Sequence, residues 1–187
     1  GHPRREKTVL PAAPGHEAVI AGSCAPNTLK QLEHFETHRP VYRIDLLAAA
    51  EHRDLVDEIR GWAREHIADG PIAVATSADV EGIKRAQAVL GKDGAAGLAD
   101  RILGEVGAML FELGVRKFVV AGGETSGQVV NALGIRQVEV GSFDDLSGGY
   151  CHSRDPGPIA LELKAGGLGN PTFFDYALER MRRAETD

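Results

Sequence analysis

VRKFVVAGGETSG, residues 115–127, is the stretch that decides how this chain folds. Its apolar first half leads into Gly122 and Gly123, and the polar residues that follow open a short helical pattern. This order predicts a strand that delivers a glycine turn to the N-terminus of a helix. At such a junction, unpaired backbone N–H groups and the positive end of the helix dipole point into solvent, which suits the oxygens of a phosphate.

Outward from this stretch, short β-rich runs alternate with longer helical patterns. The predicted strands are residues 18–21, 41–44, 72–75, 118–121, 138–140 and 159–163. The predicted helices are one that starts near residue 27 or 28, then 54–68, 80–90, 98–113, one through 129–133, and one from a cap at Asn170 to about 183. Alternating strands and helices make right-handed crossovers. The sequence therefore predicts an α/β fold with a mainly parallel twisted sheet and helices on both faces.

The first predicted helix carries a local signal at its start. Thr28 and Gln31 have the spacing of a capping box, in which the hydroxyl accepts from a helix N–H and the amide reaches back to the cap. We therefore expect both side chains to stabilise the start of their own helix.

Composition narrows the class of protein. With 187 residues, of which 43% are hydrophobic, one domain is the natural expectation, although two small lobes stay open. The net charge of -6 argues against a nucleic-acid partner. The absence of an apolar run of about 18 residues argues against a membrane partner. Cys24 and Cys151 are too few for a disulfide framework, so we predict two free thiols and a cytoplasmic protein.

The first 16 residues differ from the rest. Residues 1–16 mix charge, proline and glycine without a period and begin with glycine, as a linker or an expression remnant would. We assign residues 17–187 to the folded domain and expect it to be part of a longer protein.

Three predicted loops that leave strands are rich in glycine and small polar residues. They are residues 22–24, 122–126 and 166–170. In open α/β sheets, ligands bind at the carboxyl ends of the strands, so the three loops are expected to converge on one ligand.

Each loop also fits a purely structural explanation. From the residues alone, a phosphate site and a tight turn are equally favoured at residues 122–127, which match neither the Walker form nor GxGxxG. Ser23 also fits a brace of its own turn, and Glu124 fits a helix-dipole partner as well as a Mg²⁺ ligand. For Lys164, a side chain that snorkels to the surface is favoured over a phosphate contact.

The histidines do not predict a metal site. His34 and His38 are four residues apart, but no acidic residue stands between them as in HExxH, so a polar helix face is favoured over zinc. GxSxG is also absent, and the sequence identifies no catalytic residue.

Three motifs together resemble a known family. GSCAPNTLKQ at 22–31, AGGETSG at 121–127 and ELKAGGLGNPTFF at 162–174 are similar to the C-terminal, nucleotide-binding domain of the four-carbon acid sugar kinases. The resemblance covers about residues 17–181. It implies an ATP-dependent kinase of a tetronate-type acid, such as a 3-oxo-tetronate, threonate or erythronate, acting at the 4-hydroxyl. It also implies that the sugar-acid site lies largely in an N-terminal domain that this sequence lacks.

By matching position, the resemblance implies ATP contacts at Ser23, Gly122, Gly123, Glu124, Thr125 and Gly166. In this hypothesis the glycines let the backbone approach the phosphates, Thr125 donates its hydroxyl, and Glu124 holds Mg²⁺ directly or through water. One loop departs from the family pattern. Where a KSGNFG-like stretch is expected, residues 164–169 read KAGGLG, which lacks a hydroxyl and an amide but keeps the backbone N–H groups.

The favoured interpretation is therefore the nucleotide-binding domain of a two-domain kinase. By itself this domain is expected to bind nucleotide and to show little catalytic turnover. Two alternatives stay open. One is a non-catalytic regulatory module that binds a phosphosugar or another anion, and the other is an interaction domain whose glycine turns are only structural. A homodimer is expected from base rates alone.

Overall fold

The computed structural model describes residues 8–76, 79–143 and 145–185. Within them, seven strands form one sheet. The strands are β1 (His16–Ala21), β2 (Val41–Arg43), β3 (Ile72–Ala75), β4 (Val115–Ala121), β5 (Glu139–Val140), β6 (Tyr150–Ser153) and β7 (Ile159–Lys164). Their order across the sheet is β2-β3-β1-β4-β7-β6-β5.

Helices connect most of these strands. They are α1 (Pro26–Glu36), α2 (Leu46–Ala49), α3 (Leu55–His66), α4 (Val80–Leu90), α5 (Lys92–Glu112), α6 (Gly123–Ala132) and α7 (Phe173–Arg183). Two short 3-10 turns, Ile67–Asp69 and Leu146–Gly148, complete the described elements.

The sheet is parallel across β2, β3, β1, β4 and β7, and antiparallel where β6 pairs with β7 and with β5. The predicted α/β fold with a mainly parallel sheet is confirmed. The sequence analysis missed β6, because YCHS contains no β-branched residue and shows no clear alternation. All four of its residues are buried, so its pairing with β7 determines its conformation.

Helices cover both faces of the sheet, as predicted. On one face α3, α5 and α6 contribute Ile59, Leu103 and Val129 to a buried cluster. On the other face α1 and α7 contribute Phe35 and Phe174. Alternate residues of each central strand supply the two clusters, which explains why the predicted strands are continuous apolar runs.

Helix α5 begins at Lys92, six residues before the predicted start, and is 21 residues long. Two of its glycines lie where α6 packs closely against it. A Cβ added at Gly104 would lie 3.3 Å from the carbonyl oxygen of Gln128, and one at Gly107 would lie 3.1 Å from Cγ1 of Val129. These glycines therefore bring α6 close to α5 instead of interrupting the helix.

Residues 8–15, within the predicted linker, have neither helix nor strand but still contact the domain; residues 1–7 lie outside the described residues. Leu10 and Ala13 are buried in the cluster beneath α1 and α7. Lys117, also buried, donates hydrogen bonds of 3.0 Å to the carbonyl oxygens of Ala13 and Gly15. This segment is thus held against the start of β4.

Cys24 is exposed, Cys151 is buried, and both are free thiols, as predicted. Among the described residues, no helix combines the length and apolar character needed to cross a lipid bilayer.

Candidate functional site

The three glycine-rich loops meet at one edge of the sheet. They leave β1, β4 and β7, which are neighbours in the sheet. The last residues of these strands are in register, with Ala21 beside Ala121 and Ala121 beside Lys164. The Gly22 N–H donates to the Ala121 carbonyl and the Gly122 N–H to the Lys164 carbonyl, both at 3.0 Å. The loops thus begin side by side, as the parallel-strand argument predicts.

Glycine is required at three of these loop positions. At two of them neighbouring loops touch, and at the third the backbone has a positive φ. A Cβ at Gly22 would lie 2.1 Å from Oγ1 of Thr125, and a Cβ at Gly166 would lie 2.1 Å from Oγ of Ser23. Gly122 has a φ of +123°, a conformation that L side chains rarely adopt. The backbones of the loops are therefore packed together at this edge.

Gly123 is different, because a Cβ there would meet no other atom within 4 Å. Gly123 and Glu124 are exposed at the start of α6, where the first N–H groups of a helix have no intrahelical acceptor.

Thr125 is buried, and its hydroxyl donates to Oδ1 of Asp100 at 2.8 Å. In the structure this hydroxyl therefore connects α6 to α5, and the ligand contact that the resemblance implies for Thr125 stays a prediction.

Side chains of α1 hold the third loop. Thr28 Oγ1 donates to the Gly166 carbonyl at 3.0 Å, and Gln31 Nε2 donates to the carbonyls of Leu168 and Asn170, also at 3.0 Å. Helix α1 has no side-chain hydrogen bond at its cap. The predicted capping box is therefore wrong. Thr28 and Gln31 are fully buried and face the loop, which offers them carbonyl acceptors that their own helix start does not.

Lys164 holds the same loop from the other side. Its Nζ donates to the carbonyls of Ala165 and Gly166, each at 3.0 Å. The residue is only 1% exposed, so the predicted snorkelling to the surface is wrong. Burial lowers the pKa of its ammonium group to about 8.

The hydrogen bonds of Lys164 also fix the direction of two backbone N–H groups. Because C=O and N–H point in opposite directions in a trans peptide, the N–H groups of Gly166 and Gly167 point away from the Lys164 ammonium group.

A cleft of about 790 Å³ opens above the loops, within the range of small-molecule sites. All six residues predicted as contacts line it: Ser23, Gly122, Gly123, Glu124, Thr125 and Gly166. The opposite wall is formed by α2, α4 and α5 and is partly apolar, with Leu46, Leu47, Ile83, Ala86, Ala95 and Ala99. The structure therefore places the predicted residues around one cavity.

The sequence analysis missed the charged residues of this cleft. Three are basic, and four are acidic in addition to Glu124: Arg43, Arg85, Lys92, Glu33, Asp45, Asp79 and Asp100. Asp100 had a detectable signal, because it lies beside buried positions of a largely apolar helix. Arg85 and Lys92 had none, since an arginine or lysine on a helix usually lies on a solvated face. Arg43 ends a strand of three residues, which is too short to show a pattern.

This chain is similar to a known domain family and to known proteins. The family described as "Nucleotide-binding C-terminal domain" matches residues 18–174. A 3-oxo-tetronate kinase of Burkholderia multivorans is 40% identical over 172 residues, which are 92% of this chain and 40% of the relative. A 3-oxo-tetronate kinase of Pseudomonas fluorescens is 39% identical over 173 residues, with the same coverage of both chains.

A solved structure of a Haemophilus influenzae protein has a TM-score of 0.81 to this chain at 26% identity and covers 92% of this chain and 42% of its own. The chain spans about 40% of the length of the two curated relatives. Residues 18–174, which the family matches, contain the carboxyl ends of β1, β4 and β7 and the loops that follow them at the cleft. The chain belongs to the family of nucleotide-binding C-terminal domains.

Proposed function

We propose that this chain is the ATP-binding half of a kinase that phosphorylates a four-carbon sugar acid of the 3-oxo-tetronate type. The observation that carries the proposal is the convergence of three glycine-rich loops on one cleft, with free helix N–H groups at its floor. The names of the two relatives supply the reaction class and the substrate class.

The phosphates of ATP would lie on the loops that follow β1, β4 and β7. Gly123 leaves open space for them, and the N–H groups of Gly166 and Gly167 point away from the buried Lys164. Ser23 lies between these loops, with its Oγ accepting from the Ala25 N–H at 3.1 Å. The adenine would pack against the apolar wall between α2, α4 and α5. This arrangement binds phosphate chiefly through backbone dipoles, which need no reorganisation during the reaction.

The donors of the cleft also fit Mg²⁺. Glu124 is exposed at the floor, and the carboxylates of Asp45, Asp79 and Asp100 line the same cavity. Mg²⁺ in kinases is usually bound by one or two carboxylates together with the phosphates, and it neutralises charge that develops during transfer. We assign the first carboxylate to Glu124. Asp100 already accepts a hydrogen bond from the Thr125 hydroxyl, so we assign it the role of positioning α6 instead of binding the metal ion.

The other half of the reaction is assigned to the part of the relatives that this chain does not cover. Phosphoryl transfer forms a bond from the 4-hydroxyl oxygen to the γ-phosphorus and breaks the bond from that phosphorus to the bridging oxygen of ADP. The hydroxyl proton passes to a base, and we identify none among the residues that the structure describes. The isolated chain is therefore expected to bind nucleotide with little or no turnover.

Calorimetric titration with Mg-ATP tests the proposal. A Gly123→Val variant places a side chain in the open space at the cleft floor and is expected to abolish binding while the fold is kept. Gly127→Val is the matched control. Gly127 lies in the same helix and also has open space for a Cβ, but it does not line the cleft.

Binding by the parent and by Gly127→Val, with loss in Gly123→Val, would support the assignment. Equal binding by all three proteins would place the nucleotide elsewhere. Binding of a sugar phosphate that ATP cannot displace would favour the non-catalytic anion-binding module instead.

A further inference from the structure

Two histidines and an aspartate meet on the surface between α1 and α7, and none of them lines the cleft. His34 and His38 are one helical turn apart on α1, and Asp175 lies in the first turn of α7. Nε2 of His38 is 2.8 Å from Oδ1 of Asp175, and Nε2 of His34 is 3.4 Å from Oδ2. One ligand-type atom from each of the three residues lies within 4.8 Å of the other two.

The Thr37 hydroxyl lies beside Nδ1 of His38, the ring nitrogen that does not face the aspartate. The Thr37 hydroxyl donates its single proton to the His34 carbonyl at 2.6 Å, so toward Nδ1 of His38, 3.1 Å away, it can only accept. When Nε2 binds a metal ion, the hydrogen of the neutral ring is on Nδ1, and this hydroxyl can accept it. Without a metal ion, a hydrogen on Nε2 makes the 2.8 Å contact with Asp175 an ordinary hydrogen bond.

The surroundings of His38 limit its movement. Its ring packs against the buried ring of Phe35, with 5.8 Å between the ring centroids. Histidines that ligate metals commonly donate their second nitrogen to a neighbouring oxygen, which orients the ring and raises its basicity. The contact from Nδ1 of His38 to Thr37 has this form.

We propose that His34, His38 and Asp175 form a binding site for a divalent transition-metal ion of the Zn²⁺ type, with water completing the coordination. Imidazole and carboxylate are ordinary zinc ligands, and bonds of about 2 Å in a tetrahedron separate the ligand atoms by about 3.3 Å. The observed distances are 2.8 Å to Oδ1 and 3.4 Å to Oδ2 of Asp175, and the three ligand atoms lie within 4.8 Å of one another, so a small adjustment brings them to that separation. Side chains that are 34 to 40% exposed can make the small adjustment and admit water. The sequence favoured a polar helix face because the third ligand comes from a helix 137 residues further along the chain.

Titration of this chain with Zn²⁺, followed by calorimetry, tests the site, and Co²⁺ absorption in the visible range reports its coordination. We expect one metal ion per chain, a loss of this binding in His38→Gln, and no displacement by Mg²⁺. Thr37→Val keeps all three ligands and is expected to weaken binding by about 10- to 100-fold, as outer-shell changes do. Thr37→Ser restores the hydroxyl and is expected to restore the affinity.

The matched control is His52→Gln. His52 is an exposed histidine whose Nε2 lies 2.8 Å from Oε2 of Glu58, so it repeats the single histidine–carboxylate pair. Zn²⁺ binding in this variant should equal that of the parent. The proposal is overturned if the parent shows no binding, or if His38→Gln, folded by circular dichroism, binds as tightly as the parent. The three side chains would then be an ion-pair contact between α1 and α7.

Discussion

Single buried polar residues hold the loops and the helix start of the candidate site through hydrogen bonds to other parts of the chain. Lys164 donates to two loop carbonyls, and Thr28 donates to one of the same two, at Gly166. Thr125 donates to Asp100 and so orients the start of α6. Each of these polar groups is buried, and leaving its partner unpaired would cost about 1–3 kcal/mol. The loops are therefore held in one conformation before any ligand binds.

Glu162 is a residue whose ionisation should affect stability. Burial raises the pKa of its carboxyl group to about 8, with Asp145 adding to the rise and Lys164 opposing it. The ordinary value is 4.5, so between pH 4.5 and 8 the folded chain holds a proton that the unfolded chain has lost. The free energy of unfolding must then fall as pH rises through this range. Glu162→Gln should remove that part of the decline.

Urea denaturation of the parent and of Glu162→Gln at a series of pH values between 5 and 8 measures the effect. Glu65→Gln, at an exposed position, serves as the control and should keep the slope of the parent. Identical slopes for Glu162→Gln and the parent would show that the Glu162 carboxyl does not hold its proton in this range.

Among the elements, the pair of α5 and α6 has most influence on the cleft. The start of α6 forms the floor, and its position depends on how closely the helix approaches α5. Gly107 lies at this contact, where an added Cβ would be 3.1 Å from Val129 and 3.6 Å from Ile20. A larger side chain must push α6 away from α5.

We expect Gly107→Leu to lower the free energy of unfolding by about 1–3 kcal/mol, the usual cost of an overpacked core. Gly97→Leu is the matched control in the same helix, because Gly97 is exposed and a Cβ there meets nothing within 4 Å. It should raise stability by up to about 1 kcal/mol through helix propensity. Chemical denaturation measures both, and a Gly107→Leu variant as stable as the parent would mean that the helices can separate without cost.

In the whole molecule, the two ends of the described chain meet at the edge of the sheet opposite the cleft. Lys117 donates to the backbone of residues 13 and 15 and forms an ion pair with Glu185 after α7. Leu10 is 2% exposed, although it precedes the first strand. The segment before β1 therefore contributes to the core of the domain.

Truncation of a single side chain tests that contribution. Leu10→Ala should lower the free energy of unfolding by about 2–5 kcal/mol, as for other buried leucines. Val9→Ala changes the neighbouring residue, which is 74% exposed, and should have little effect. If urea denaturation gives the two variants equal stability, residues 8–15 do not pack on the domain in solution.

Much of this architecture could be predicted because its signals are local. Short apolar runs identified six of the seven strands, and the parallel-strand rule predicted that the loops after β1, β4 and β7 converge. The start of α5 and the existence of β6 could not be predicted. Glycines at the start of α5 oppose helix propensity, and YCHS has no strand pattern, so packing decided both.

The sequence by itself determined the class of fold, the edge of the sheet that forms the site and the glycine-rich loops along one side of it, because strands and turns depend on neighbours in the chain. Only the tertiary structure decided what those residues contact. Thr28 and Gln31 bond a loop at least 137 residues away, and His38 meets Asp175 across two helices. Side-chain partners of this kind follow from the packing of elements in space, and no local pattern encodes them.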